Sequence, residues 1–275
     1  MKAREPIQLT GEQETLLVPL YCKTNECGAI LSDPKAQEIV SQIAYDFSEL
    51  NIPRKTCLML CMRTRRFDEY TRAFLAQHSD CLVLHLGCGL DSRYMRLHAP
   101  AIPWYDLDMP EVISLRHRFY QETDDYHMIA SSVTDLAWLD EITPATQPVL
   151  ILAEGLTMYL TEDDMQRLIR TLVRKFSTGA LIFDAFSTLT ARHAKTHPSL
   201  HRTGAETHWG LDDPYTIEQW TEQIHFQEEW AFTQSAQLST LRWRDRLPFR
   251  MAGVFPAARR AHRILYYTFG DERFD

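Results

Sequence analysis

The sequence is short of positive charge. Lys and Arg number 29 against 37 Asp and Glu, a formal net charge of −8 over 275 residues. That balance argues against nucleic acid and membrane surfaces as partners, since either would need a cationic face. Long apolar runs are also lacking: none approaches the ~20 residues of a membrane span. The opening MKAREPIQLTGEQE carries charges where a signal peptide would have its apolar centre, so a cytoplasmic chain is expected. The six cysteines, at positions 22, 27, 57, 61, 81 and 88, form no Cys-x-x-Cys pair. Without that spacing or a secretion signal, reduced and mostly buried thiols are expected rather than a zinc site or a disulfide framework. Internal repeats and low-complexity tracts are absent too.

What is present is ordinary globular material, 45% hydrophobic and 24% charged, enough for one elaborated domain with a sizeable core. The first 80 residues read as helical. SDPKAQEIVSQIAYDF opens on a Ser-Asp-Pro entry, with Ile39, Ile43 and Phe47 at helical spacing, and RRFDEYTRAFLAQH continues the pattern. An alternation follows. CLVLHL, WYDLD, YHMIA, PVLILAE and ALIFDAF read as strands, and RILYYTFG as a last strand beside one around 225–232. Thr161 and Asp164 form a capping-box-like pair before a helix with the apolar stripe Met165, Leu168, Ile169, Leu172, Val173 and Phe176. PYTIEQWTEQI reads as another helix. Residues 187–213 break the pattern, are rich in histidine and are too long for a simple connection, so a lid or substrate-facing insertion is expected there. Strands alternating with helices imply an α/β fold with a mostly parallel sheet.

The chemistry gathers at strand ends. HLGCGLDSR (85–93) places Gly87 and Gly89 straight after the first strand, where ligands sit in such folds and a helix near Leu90 would offer N–H groups. The third glycine of a dinucleotide loop is missing: Ser92 stands there, preceded by Asp91. A carboxylate beside a pyrophosphate would be repelled, whereas it suits S-adenosylmethionine, which has a sulfonium, an ammonium and a ribose diol but no phosphate. Asp106 and Asp108 follow Gly87 by 19 and 21 residues, where a ribose-binding acid is expected; Asp108 can equally cap the helix near Pro110. Glu154 closes a third strand, as a ligand-facing acid or as a helix cap.

LGCGLDSR, WYDLDMPEVI, SVTDLAWL and LAEGLTMYL, in that order, resemble the leucine carboxyl methyltransferase family, including its tetracenomycin-type polyketide O-methyltransferase branch. ETLLVPLYCKTNE and HWGLDDPYTIEQW resemble the bacterial members, so the likeness runs from about 12 to 270. It implies a Rossmann-like class I fold, seven-stranded with an antiparallel last strand, as one domain. Residues 1–80 would be a helical cap and 81–275 the core with the insertion. It also implies S-adenosylmethionine as cofactor and O-methylation of a small molecule. The cofactor residues carried over are Arg63 for the methionine carboxylate, eleven residues before Phe74, then Gly87, Cys88, Gly89, Asp91, Asp108 and Glu154. Taken alone, Arg63 reads as a solvated member of a basic run with Arg65 and Arg66. Lys23 and Tyr159 are the residues carried over nearest the reaction; Tyr159 fits packing under the loop equally well. Ser132 and Val133 stand where many members have Asp-Leu beside the adenine, so a serine contact replaces a charged one. Asp135 can cap LAWL instead.

A carboxylate acceptor, already ionised with a pKa of about 4, needs no base, whereas a phenol at about 10 would want one. His85, placed inside the first strand, is the one histidine in the matched cofactor motifs. Competing readings are a nicotinamide-dependent oxidoreductase, which Asp91 and the missing glycine oppose, and a non-catalytic cofactor-binding module, which Arg63, Asp108 and Glu154 oppose. His193, His197, His201 and His208 crowd the insertion, but no Glu follows His193 and Pro198 ends its helix, so no metal is expected.

Overall fold

The computed structural model describes residues 14–25, 30–99, 101–142, 146–194 and 206–270. Three helices come first: α1 (Glu14–Asn25), α2 (Pro34–Gln42) and the 24-residue α3 (Arg54–Gln77). Asp33 caps α2 by accepting from the Ala36 N–H at 3.0 Å. That helix is shorter than the spacing predicts. Ile43 is its extended C-cap, and Phe47 begins a separate 3₁₀ turn whose entry Asp46 caps. The expectation of reduced thiols is corrected at one place: Cys22 on α1 and Cys57 on α3 are joined by a disulfide. Cys61, one turn on, aims its sulfur at the Cys22 carbonyl oxygen, 3.5 Å away.

Seven strands follow: β1 (Leu82–Leu86), β2 (Trp104–Asp108), β3 (Tyr126–Ala130), β4 (Val149–Ala153), β5 (Gly179–Phe186), β6 (Ile224–Ala231) and β7 (His262–Phe269). Their order is β3-β2-β1-β4-β5-β7-β6, with β7 antiparallel to both neighbours. This is the mostly parallel seven-stranded sheet expected. β1 to β5 are short apolar runs because both faces are covered. Val83, Leu150 and Ile182 face a core shared with α1–α3, while Leu84, Ile151 and Leu181 face one shared with α6 (Glu162–Lys175). Thr161 caps α6 as predicted, accepting from the Asp164 N–H at 3.1 Å.

The helices between β1 and β3 are brief. α4 (Arg93–Leu97) starts three residues later than the reading near Leu90, with Ser92 before it, and α5 (Pro110–Arg116) starts on its proline. Asp135 caps the 3₁₀ segment Leu136–Glu141. Residues 214–224 are not the predicted helix. Only Pro214–Thr216 form a 3₁₀ turn, and the Glu218 carboxylate accepts from the Phe226 N–H, committing the chain to β6. Within the histidine-rich insertion, α7 (Thr188–Ala194) is described and carries an exposed His193; His197 and His201 lie outside the described residues. Two helices between β6 and β7, α8 (Trp243–Val254) and α9 (Pro256–Arg259), had no counterpart in the sequence reading. No helix among the described residues is long and apolar enough to cross a membrane.

Candidate functional site

Strand alternation decides which side chains meet at the carboxyl edge of the parallel strands. On the face toward α3, apolar residues give way to a polar row: Asp106 on β2, His85 on β1, Glu154 after β4 and Asp184 on β5. β7 runs the other way, so its first residue, His262, pairs with Phe186 at that same edge. From α3 the row is met by Arg63, Thr64 and Asp68, all buried.

Arg63 joins two of these acids. Its Nε donates to Glu154 Oε1 and its Nη1 to Asp184 Oδ2, each at 3.0 Å. Thr64 Oγ1 adds a 2.8 Å bond to the same Glu154 oxygen. Arg93, fully buried, donates to Asp68 Oδ1 at 2.9 Å, to the other oxygen of Glu154, and to His85 Nε2 at 3.2 Å. An arginine can only donate, so His85 Nε2 is unprotonated and its Nδ1–H donates to Asp106 Oδ1 at 3.1 Å. Burial alone would raise Glu154, but Arg93, Arg63 and Lys23 hold its carboxyl below the usual range. Asp184 likewise lies below it, because Arg63 and His262 outweigh burial.

The loop after β1 turns on two left-handed glycines, Gly87 at φ +63° and Gly89 at φ +51°. Asp108 holds the loop rather than capping α5: its carboxylate accepts from the Gly89 N–H at 2.7 Å and the Met109 N–H at 2.8 Å. Burial still keeps Asp108 above the ordinary carboxylate range despite those two donors. Arg116 fixes the loop from below, donating to the Gly89 and Asp91 carbonyl oxygens at 2.8 and 2.9 Å. The Asp91 side chain is not the bare negative charge facing a ligand that the sequence suggests. It is paired with Lys23 of α1 and with Arg96 at 3.2 Å. Leu16 of the same helix stands where a Gly89 Cβ would meet it at 3.2 Å, so α1 lies against the loop.

The structure thus brings Lys23, Arg63, Gly87, Gly89, Asp91, Asp108 and Glu154 to one edge. Cys88 reaches it only through its backbone, since its thiol is buried in the core and burial raises its pKa. Val133 also packs inward, and its carbonyl accepts from Trp138 Nε1 at 3.3 Å. Ser132, just past β3, is half-buried with Oγ 2.9 Å from Thr134 Oγ1. Tyr159 ends the 3₁₀ turn Thr157–Tyr159, and burial raises its phenol although Arg63 pulls the other way. Among the described residues no group of three or more His, Cys, Asp or Glu could hold a metal.

Sequence reasoning missed three residues here. Asp184 carries a weak signal, a charge inside an apolar strand, and Arg93, at the start of α4, carries none. Gly155 (φ +71°) follows Glu154, and a Cβ on it would stand 3.0 Å from Arg63 Nη2. Among the described residues that nitrogen has no acceptor. The edge therefore offers a guanidinium prong beside Gly155, a carboxylate short of donors at Asp108, and a tight backbone between them. A ligand with a carboxylate at one end and a diol further along fits that set.

The chain is similar to known proteins in sequence and in fold. The sequence profile of the leucine carboxyl methyltransferase family matches residues 22–173. The tetracenomycin polyketide synthesis O-methyltransferase TcmP of Streptomyces glaucescens is 41% identical over 96% of this chain and 99% of its own length. The S-adenosyl-L-methionine-dependent methyltransferase dpfgK of Gibberella zeae is 30% identical over 90% and 92%. Among solved structures, a DUF574 family protein from Streptomyces avermitilis superposes with a TM-score of 0.63 at 12% identity, covering 94% of this chain and 99% of that one.

Proposed function

Because this chain belongs to the leucine carboxyl methyltransferase family and is an S-adenosylmethionine-dependent O-methyltransferase, we propose that its acceptor is a carboxylate on a small, polyketide-like molecule. The observation that carries this is Lys23, a cation that α1 holds against Asp91 at the edge where Arg63 meets Glu154. The cofactor supplies a methyl group already activated by a sulfonium. Gly87, Gly89 and the Cys88 backbone would cradle it, with Asp108 on the ribose hydroxyls, Ser132 and Val133 bordering the adenine, and Arg63 Nη2 on the methionine carboxylate. Glu154, with Thr64, holds Arg63 in place for that contact.

The remaining task for the protein is alignment and the exclusion of water, and good alignment alone is worth roughly 7–11 kcal/mol. A carboxylate at about pKa 4 is ionised at neutral pH and needs no base. Lys23 would orient it, at the expense of its contact with Asp91, which retains Arg96; Tyr159 would line the approach. On this reading the helices before residue 80 and the insertion near 187–213 act with the sheet as one catalytic unit in the cytoplasm.

The test is chemical. Methyl-labelled product formed on an acceptor acid should release volatile methanol in mild alkali, and the rate should stay nearly flat from about pH 6 to 8. Alkali-stable label, with a rate climbing through that range, would replace the carboxylate by a hydroxyl.

A further inference from the structure

Apart from Arg63 on α3, the residues assigned to the cofactor follow β1, β2, β3 and β4, which leaves the ends of β5 and β7 for the acceptor. At those ends stands a pair the cofactor does not use. His262 Nε2 lies 2.6 Å from Asp184 Oδ2. Asp184 is an ionised, acceptor-only carboxylate that also receives Arg63 Nη1 at 3.0 Å and the Gly155 N–H at 2.6 Å, so Nε2 carries the proton. In the neutral ring the lone pair then sits on Nδ1, and among the described residues nothing hydrogen-bonds to Nδ1. The imidazole lies between Phe186 and Phe232, ring centroids 4.7 and 5.0 Å away, with its side chain only 12% exposed. An imidazole oriented by a buried carboxylate, with its other nitrogen unbonded among the described residues and two aromatic rings beside it, is the arrangement of a general base.

We propose that His262, oriented by Asp184, is an acceptor-side base that gives this site a second activity, the O-methylation of hydroxyls on aromatic acceptors. Nδ1 takes the hydroxyl proton and the oxygen keeps the bonding pair. That pair forms the new C–O bond as the C–S bond breaks, its electrons cancel the sulfonium charge, and the imidazolium returns its proton to water. Asp184 stabilises the imidazolium while it lasts. The proposal rests on methyl transfer at this edge, but not on the acceptor being a carboxylate.

The probe is 6-hydroxy-2-naphthoic acid, which offers both oxygens on one apolar frame. The full chain and its His262→Gln variant are incubated with methyl-labelled S-adenosylmethionine, and alkali-stable ether label is separated from alkali-labile ester label. Gln preserves a donor to Asp184 but has no basic nitrogen. Ether formation should fall ~100-fold or more in the variant, and the ratio of ether to ester label should fall with it by at least ~10-fold. In parallel, nitrogen NMR of histidine-labelled protein near pH 8 should show an unprotonated Nδ1 and a protonated Nε2 at His262. A protonated Nδ1, or ether label that persists in His262→Gln, overturns the base. Ester label alone from the parent protein overturns it while leaving the carboxylate reading intact. Label on neither oxygen counts against the carboxylate reading, and the ring's tautomer then decides the base.

Discussion

Arg63 is the residue on which the site's charges converge. Among the described residues, removing it would leave Asp184 with no guanidinium and Glu154 with only that of Arg93. Breaking a buried pair from one side costs about 3–5 kcal/mol, so Arg63→Ala should lower the melting temperature. If Nη2 also holds the methionine carboxylate, cofactor affinity should fall by about 1.5–3 kcal/mol, roughly 10- to 150-fold. Arg65, two positions on, is the control. Its side chain is 41% exposed and pairs with Glu69 one turn away, so Arg65→Ala should change either quantity by less than ~0.5 kcal/mol. Calorimetry on the two variants, with a thermal melt beside it, separates the roles. An Arg63→Ala protein that melts early but binds the cofactor like its parent would leave Arg63 as a structural residue only.

At the level of elements, α6 allows a clean expectation. Its cap is Thr161, and its acids Glu162, Asp163 and Asp164 and bases Arg174 and Lys175 stand at the ends that suit its dipole. Thr161→Ala should cost about 1 kcal/mol of stability in a denaturant titration and leave cofactor binding unchanged. A large loss of affinity would mean that the loop carrying Tyr159 depends on this cap. α6 was also the element most legible in the sequence, because an amphipathic stripe and two capping signals are local. The central strands were legible for a related reason: buried on both faces, they are apolar throughout. Residues 214–224 misled because an Asp-Pro entry and the buried Ile217 and Trp220 are helical signals, while the Glu218 carboxylate, accepting from the Phe226 N–H, turns the chain into β6. The acids at strand ends could be read, since position in the pattern locates them. Arg93, Asp184 and His262 could not. Their roles exist only where α3, β4, β5 and β7 meet, which is a fact of strand order and not of spacing. The disulfide between Cys22 and Cys57 belongs with them, since its cysteines are 35 residues apart and share no motif.

Over the whole molecule, the −8 net charge hides a buried lattice of opposite charges. Asp68, Asp91, Asp106, Glu154 and Asp184 are all buried or nearly so, and burial raises each. In every case the neighbouring cations more than reverse it, and Asp106, beside Arg116 and His85, falls to about 2. The sign then follows. A carboxyl whose folded pKa lies below its unfolded value of about 4 stabilises the fold at any pH above 4, and that contribution is lost as pH falls toward the folded value. Asp108 has the opposite sign, because burial holds it above the ordinary range; it offsets part of the gain from the other five. Stability should therefore be nearly level from about pH 7 to 5 and fall steeply below about 4, as unfolding takes up several protons. Each fully engaged group adds about 1.4 kcal/mol per pH unit to the slope. Chemical denaturation at a series of pH values from 7 to 2.5 reads that slope directly. A free energy that stays level down to about pH 3 would mean that these carboxylates titrate in the folded protein much as they do in the unfolded chain, and that the lattice at the carboxyl edge orders the site without stabilising the fold.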